Sequence, residues 1–151
     1  MRAEHAVAAG GVAAALLLLG CGGATTTEPR GPVVVASGDF VLTDATTANR
    51  TGRPCDLFGL RPFSVSSAGT LRVTVVWFDP DFDVDVSLLR GTCACEQALR
   101  ADCDVVVLAD ESGLSESLSR QVRAGGRFTL AALIRFGTGT TTASYEVVLE
   151  P

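Results

Sequence analysis

Apolar and polar residues alternate with a period of two along most of the chain after Pro32. Leu71, Val73, Val75 and Trp77 share one face of an extended segment, and so do Val84, Val86 and Leu88. Phe128, Leu130, Ala132, Ile134 and Phe136 form another apolar face, with Arg127, Thr129 and Arg135 opposite; Tyr145, Val147 and Leu149 close the series. Such alternation marks strands with one buried and one wet face, as in antiparallel sheets. The pattern predicts strands at 33–36, 39–43, 57–66, 70–78, 84–89, 105–109, 118–123, 127–136 and 144–150. Ala68-Gly69 and Gly125-Gly126 supply turns. No segment carries a convincing helical stripe, and the best candidate, 95–102, is two turns at most. Short strands at turn-punctuated spacing predict an all-β, two-layer antiparallel sandwich.

The first 32 residues follow a different pattern. After a short polar start, Ala6–Leu19 run apolar and end in four leucines. That length suits the apolar region of a secretory signal and is short for a membrane span, the alternative reading. From Gly22 to Pro32 there is no apolar periodicity, which reads as a tether. As a flexible coil of about eleven residues it reaches roughly 18 Å. The expected organisation is a signal peptide at 1–20, an anchor and tether at 21–32, and a sandwich domain at 33–151.

Composition narrows the chemistry. The chain has 151 residues, a net charge of −5 and 47% hydrophobic residues, enough for one folded domain and without the basic footprint that nucleic acid needs. The sequence contains no lysine, and its one histidine, His5, lies in the leader. A Ser-His-Asp triad, a Cys-His pair and a His-ligated zinc site are therefore excluded from the mature domain. The serines of Ser112–Ser117 lack both a nucleophile elbow and a base. No catalytic residue is expected.

Two sets of residues carry candidate chemistry. Asp79, Asp81, Asp83 and Asp85 occupy every second position. In an extended chain alternate side chains lie about 6.7 Å apart on one face, so neighbouring carboxylates can lean toward one hard cation. Asp81, Asp83 and Asp85 are the candidate calcium ligands; no cofactor is required. The EF-hand pattern does not fit, because Val84 and Arg90 stand where it needs glycine and glutamate. The competing reading is a solvated strand face whose charges block edge pairing, or carboxylates paired with arginines such as Arg72 or Arg90. Beside this run, Trp77 continues the apolar face and belongs in the core, whereas Phe78 and Phe82 are expected nearer the surface, where a carbohydrate or protein partner would dock. Arg50, Arg53 and Arg61 read as solvated surface.

The second set is Cys55, Cys93, Cys95 and Cys103. If Cys21 is modified, these four form an even set, as disulfides require. Three pairings are possible. A Cys93–Cys95 ring is disfavoured by geometry, which leaves one of that pair with Cys103 and the other with Cys55. A site of four thiolates is the alternative, although the paired Cys-x-x-Cys spacing is missing.

Two resemblances follow from these residues. Leu18-Leu19-Gly20-Cys21 resembles the lipobox of bacterial lipoproteins. That resemblance implies cleavage before Cys21, acylation of Cys21 by diacylglycerol and palmitate-type chains, and a place at the cell envelope. Gly22, rather than aspartate, after the cysteine resembles the outer-membrane default of Gram-negative lipoproteins, facing the periplasm or the cell surface. Leu19 is bulkier than the family's usual residue, and Glu4 offsets Arg2 in the leader. Further on, Phe63–Trp77, Asp83–Leu89, Val122–Ala132 and Tyr145–Leu149 resemble, in order, the bacterial pre-peptidase C-terminal domain. That resemblance implies a jelly-roll-like sandwich serving as a non-catalytic module of secreted proteins, with related modules that bind calcium or extracellular polymers. The expected function is a lipid-anchored binding or accessory module whose partner is an envelope protein or polysaccharide. The alternatives are a calcium-dependent adhesion module or a structural envelope lipoprotein without a ligand.

Overall fold

The computed structural model describes residues 31–110 and 113–151. Its eight strands are β1 (Val33–Thr43), β2 (Phe58–Ser64), β3 (Gly69–Trp77), β4 (Asp83–Arg90), β5 (Val105–Ala109), β6 (Ser115–Val122), β7 (Arg127–Phe136) and β8 (Thr140–Glu150). They form two antiparallel four-stranded sheets, ordered β1-β8-β3-β6 and β2-β7-β4-β5. The chain changes sheet at every strand connection except β4 to β5. This is the jelly-roll arrangement, and the expected fold class is observed.

The core lies between the inner faces. From the first sheet come Phe40 and Leu42, the row Leu71, Val73, Val75 and Trp77, and Tyr145, Val147 and Leu149. Facing them are Val84, Val86 and Leu88 with Phe128, Leu130, Ala132 and Ile134. Phe40 and Leu42 apart, these are rows the alternation marked, except that Phe136 falls outside the core. Trp77 is fully buried, and its indole nitrogen donates to the Phe82 carbonyl at 2.9 Å, satisfying the one polar atom of a large apolar side chain. At Gly59 a Cβ would run into the Phe40 ring and Leu42, so the absence of a side chain there lets β2 lie close over β1. Gly125 turns the chain between β6 and β7 at φ +75°, which glycine adopts without steric penalty.

Several elements differ from the expectation. The segments 33–36 and 39–43 are one strand, β1, with a bulge between Val34 and Ala36 that absorbs the break in alternation. β6 begins at Ser115 and β8 at Thr140, each earlier than the apolar pattern suggests, because both are carried by backbone pairing to β3 and β1. A seven-residue helix, α1 (Ala45–Thr51), has no apolar stripe and arises from its ends. Asp44 caps it by accepting from the amides of Thr46 and Thr47 at 2.9 and 3.1 Å, and Gly52 closes it in the left-handed conformation. The second carboxylate oxygen of Asp44 accepts from Gly139 at 2.6 Å, tying the helix to the turn before β8. Hydrogen bonds from the Thr47 hydroxyl, the Gly139 amide and the helix amides lower the Asp44 pKa to about 2. A 3₁₀ turn at Pro54–Leu57 leads into β2, and the short helix expected near 95–102 is α2 (Cys95–Leu99).

Candidate functional site: a groove under the disulfide-pinned flap

The connection from β4 to β5, residues 91–104, stays with its own sheet and folds back over that sheet's outer face. Its neck is closed by Arg90, whose amide donates to the Asp104 carbonyl at 2.8 Å and whose side chain pairs with the Asp104 carboxylate at 2.8 Å. Two disulfides hold it. Cys93 pairs with Cys103 within the flap (Cα–Cα 6.0 Å), and Cys95 pairs with Cys55 in the 3₁₀ turn (Cα–Cα 5.5 Å). One of Cys93 and Cys95 thus joins Cys103 and the other joins Cys55; which does which is settled by α2, whose first residue, Cys95, meets the 3₁₀ turn. Thr129 completes the attachment. It sits on the outer side of β7 but is fully buried, accepting from the Cys93 amide at 3.0 Å and donating to the Gly91 carbonyl at 2.9 Å. Its expected exposure is therefore corrected: the flap covers it.

Under the flap lies a half-open cavity of about 240 Å³. Phe58 of β2, Ala131 and Leu133 of β7, Leu89 of β4, and Val105 and Leu108 of β5 form its floor and sides, and Ala98 and Ala101 form its roof. Val105 and Leu108 remain 56% and 52% exposed. Asp85 is the only carboxylate among the lining residues. Small clefts lined by apolar side chains with few polar groups are the usual form of ligand sites.

A register change builds the charged end of this groove. Asp83 pairs with Phe136 and Val84 with Ile134, so Arg135 is an extra residue on β7. The bulge places its guanidinium 3.6 Å from Asp85 and 4.0 Å from Asp110, which follows β5. Two carboxylates, those of Asp85 and Asp110, thus share one guanidinium. Burial raises the Asp85 pKa; Arg135 opposes the shift, and the negative charges of Asp83 and Asp110 reinforce it.

The aspartate run divides between two environments. Asp79 accepts from the Asp81 amide at 3.0 Å in a turn, while Asp83 and Asp85 lie on the outer side of β4. Among the described residues, no three Cys, His, Asp or Glu side chains cluster closely enough to hold a metal ion. The expected arginine partners are elsewhere: Arg72 pairs with Glu150 on the first sheet and Arg90 with Asp104. Phe78 is 81% exposed, but Phe82 is buried against Trp77, contrary to the expected exposure, and Phe136 at the end of its row is 64% exposed instead of buried. Arg50, Arg53 and Arg61 are exposed; Arg61 lies over the Phe40 ring, 5.2 Å from its centroid. Cys21 and the leader lie outside the described residues.

Sequence reasoning missed Arg135, Asp110 and the groove itself. One signal was present: Leu130–Ile134 is an unbroken apolar run, which marks a strand covered on both faces. Nothing in the sequence foretold the bulge that aims Arg135.

The fold resembles that of the pre-peptidase C-terminal domain of a collagenase from Bacillus anthracis, with a TM-score of 0.51 and 13% identity over 76% of this chain and 89% of that one. The mitogen derived from Yersinia pseudotuberculosis superposes with a TM-score of 0.47 and 10% identity, covering 80% of this chain and 86% of that chain. At 13% identity the likeness to the collagenase domain is one of fold, in agreement with the sandwich expected from the resemblance in sequence. No protein-family model and no curated protein matches the chain.

Proposed function

We propose that this chain is a lipid-anchored, extracytoplasmic, non-catalytic binding or accessory module, held at the cell envelope through Cys21 and presenting the outer face of its second sheet to a partner. The half-open apolar groove beneath the flap, where Val105 and Leu108 stay more than half exposed, supports the binding part of this reading. Two disulfides fit maturation in an oxidising compartment. The lipobox-like run ending at Cys21 supports the anchor, and more than one acyl chain gives the stable attachment that one chain does not. The absence of lysine, with the single histidine in the leader, supports a non-catalytic role. An envelope protein or polysaccharide is the proposed partner.

Metabolic labelling with palmitate tests the anchor. Wild-type protein should take up label and sediment with membranes, and Cys21→Ala should do neither. Unlabelled cytosolic protein that retains Met1 would overturn the anchor and the compartment together.

A calcium-dependent adhesion module is the second reading, favoured by Asp83 and Asp85 at alternate outward positions on β4. It requires a rise in melting temperature with millimolar calcium that Asp83→Asn removes. An unchanged melting curve would eliminate it.

A further inference from the structure

The groove and its charged end together define what would fit. Its walls are aliphatic and aromatic, so an occupant must bring an apolar body. Its one lining carboxylate, Asp85, shares the Arg135 guanidinium with Asp110, and Asp83 lies two residues away on the same face of β4. The register Val86 with Ala109, continued by one residue, puts Asp110 opposite Asp85 just past the end of β5, an arrangement of like charges that is unfavourable without a cation between them. Arg135 meets this need incompletely, at 3.6 and 4.0 Å, distances of ion pairing and not of close hydrogen bonds. Two carboxylates against one guanidinium leave a net negative charge at the end of an apolar cleft.

We propose that the groove between α2 and the outer face of the second sheet binds a small organic cation: an amine carried on an alkyl or aryl body about the size of a phenylbutyl group. The body lies against Phe58, Leu89, Leu108 and Leu133, and the ammonium group lies at Asp85, donating to its carboxylate. The groove is too small for more than one such body, since ligand cavities for drug-sized molecules begin at about 300 Å³. Arg135 competes with the ligand for Asp85 and so sets its affinity. This inference rests on the reading of the chain as a binding module, and it is independent of the lipid anchor.

Calorimetric titration of the oxidised, folded domain with 4-phenylbutylamine, 4-phenylbutanol and 4-phenylbutyrate separates charge from apolar contact, because the three share one body. The amine should bind about fivefold more tightly than the alcohol, and the carboxylate should show no heat. Asp85→Asn should reduce the amine to the alcohol's level, and Arg135→Gln should tighten the amine about threefold by removing its competitor. Ala131→Trp, which fills the cavity, should abolish binding of all three. If Asp85→Asn fails to fold, Asp110→Asn should still weaken the amine by about twofold while leaving the alcohol unchanged. Equal affinities for amine, alcohol and carboxylate would overturn the cation selectivity and leave an apolar binding module. Absence of heat with all three probes would overturn the site itself, whereas the anchored-module reading is decided separately by labelling at Cys21.

Discussion

The two sheets share one core, but their outer faces are built for different surroundings. On the first sheet the outward positions of β8 are Thr140, Thr142, Ser144, Glu146, Val148 and Glu150, and β3 contributes Thr70, Arg72 and Thr74. Short hydroxyl residues and exposed ion pairs such as Arg72–Glu150 suit a face left in water. On the second sheet the outward positions include Phe58, Leu60, Leu89, Ala131 and Leu133. The difference follows from the one connection that does not cross between sheets. Because β4 and β5 are neighbours, the flap between them is free to lie on the sheet that bears it, and two disulfides keep it there.

Removing the disulfides should break this contrast most severely. On the chain-entropy model the Cys55–Cys95 bridge, with a separation of 40 residues, contributes about 4 kcal/mol, and the Cys93–Cys103 bridge, with a separation of 10, about 3 kcal/mol. Paired alanine variants measured by urea denaturation should lose stability in that order. Each should also increase binding of an apolar dye as the flap lifts from Leu133 and Leu89. Undiminished stability in both variants would mean that the flap is held by packing alone.

A charge placed on each outer face gives the next largest difference. Leu133→Asp puts a carboxylate into the groove beside Asp85 and should cost about 2 kcal/mol. Thr142→Asp on the open face of β8 should stay within about 0.5 kcal/mol of wild type. Similar losses from the two substitutions would erase the distinction between the faces.

Asp44 allows a test by pH. Its pKa is lowered to about 2 in the folded chain, against an ordinary value of 3.8. The unfolded chain therefore takes up the proton first as pH falls, and the stabilisation present above pH 4 should be lost between about pH 4 and pH 2. Asp44→Ala should flatten that part of the pH–stability curve and lower the melting temperature at neutral pH by roughly 5 °C. An unchanged acid limb would show that the cap and the Gly139 contact do not form in solution. The smallest effect belongs to Arg72→Ala: its ion pair with Glu150 is exposed on both sides, so the melting temperature should not change measurably.

The core was legible because each of its rows is a period-two repeat. Leu71 to Trp77 and Val84 to Leu88 are buried as the alternation requires. The row on β7 failed at both ends of its logic: Phe136 lies past the bulge and is exposed, and Thr129 is covered by residues 36 and 38 positions earlier in the chain. Helix α1 was invisible to an apolar pattern because it is seven residues long and depends on Asp44 and Gly52 at its ends. The cysteine set could be read from parity and spacing down to two pairings, but the choice between them depended on where α2 lies. Phe82 was misplaced because its burial comes from the turn at Asp79, which folds its ring and carbonyl onto Trp77.

Sequence alone determined the two-layer class, the position of most strands and most residues of the core, since these follow from side-chain alternation along a pleated backbone, a local property. Tertiary structure alone decided the groove. Its walls come from four strands and a flap, its charged end from a one-residue register change on β7, and its closure from a disulfide reaching 40 residues back along the chain. Pairing register and long-range contacts depend on which segments become neighbours, and a one-dimensional pattern of polarity does not encode that.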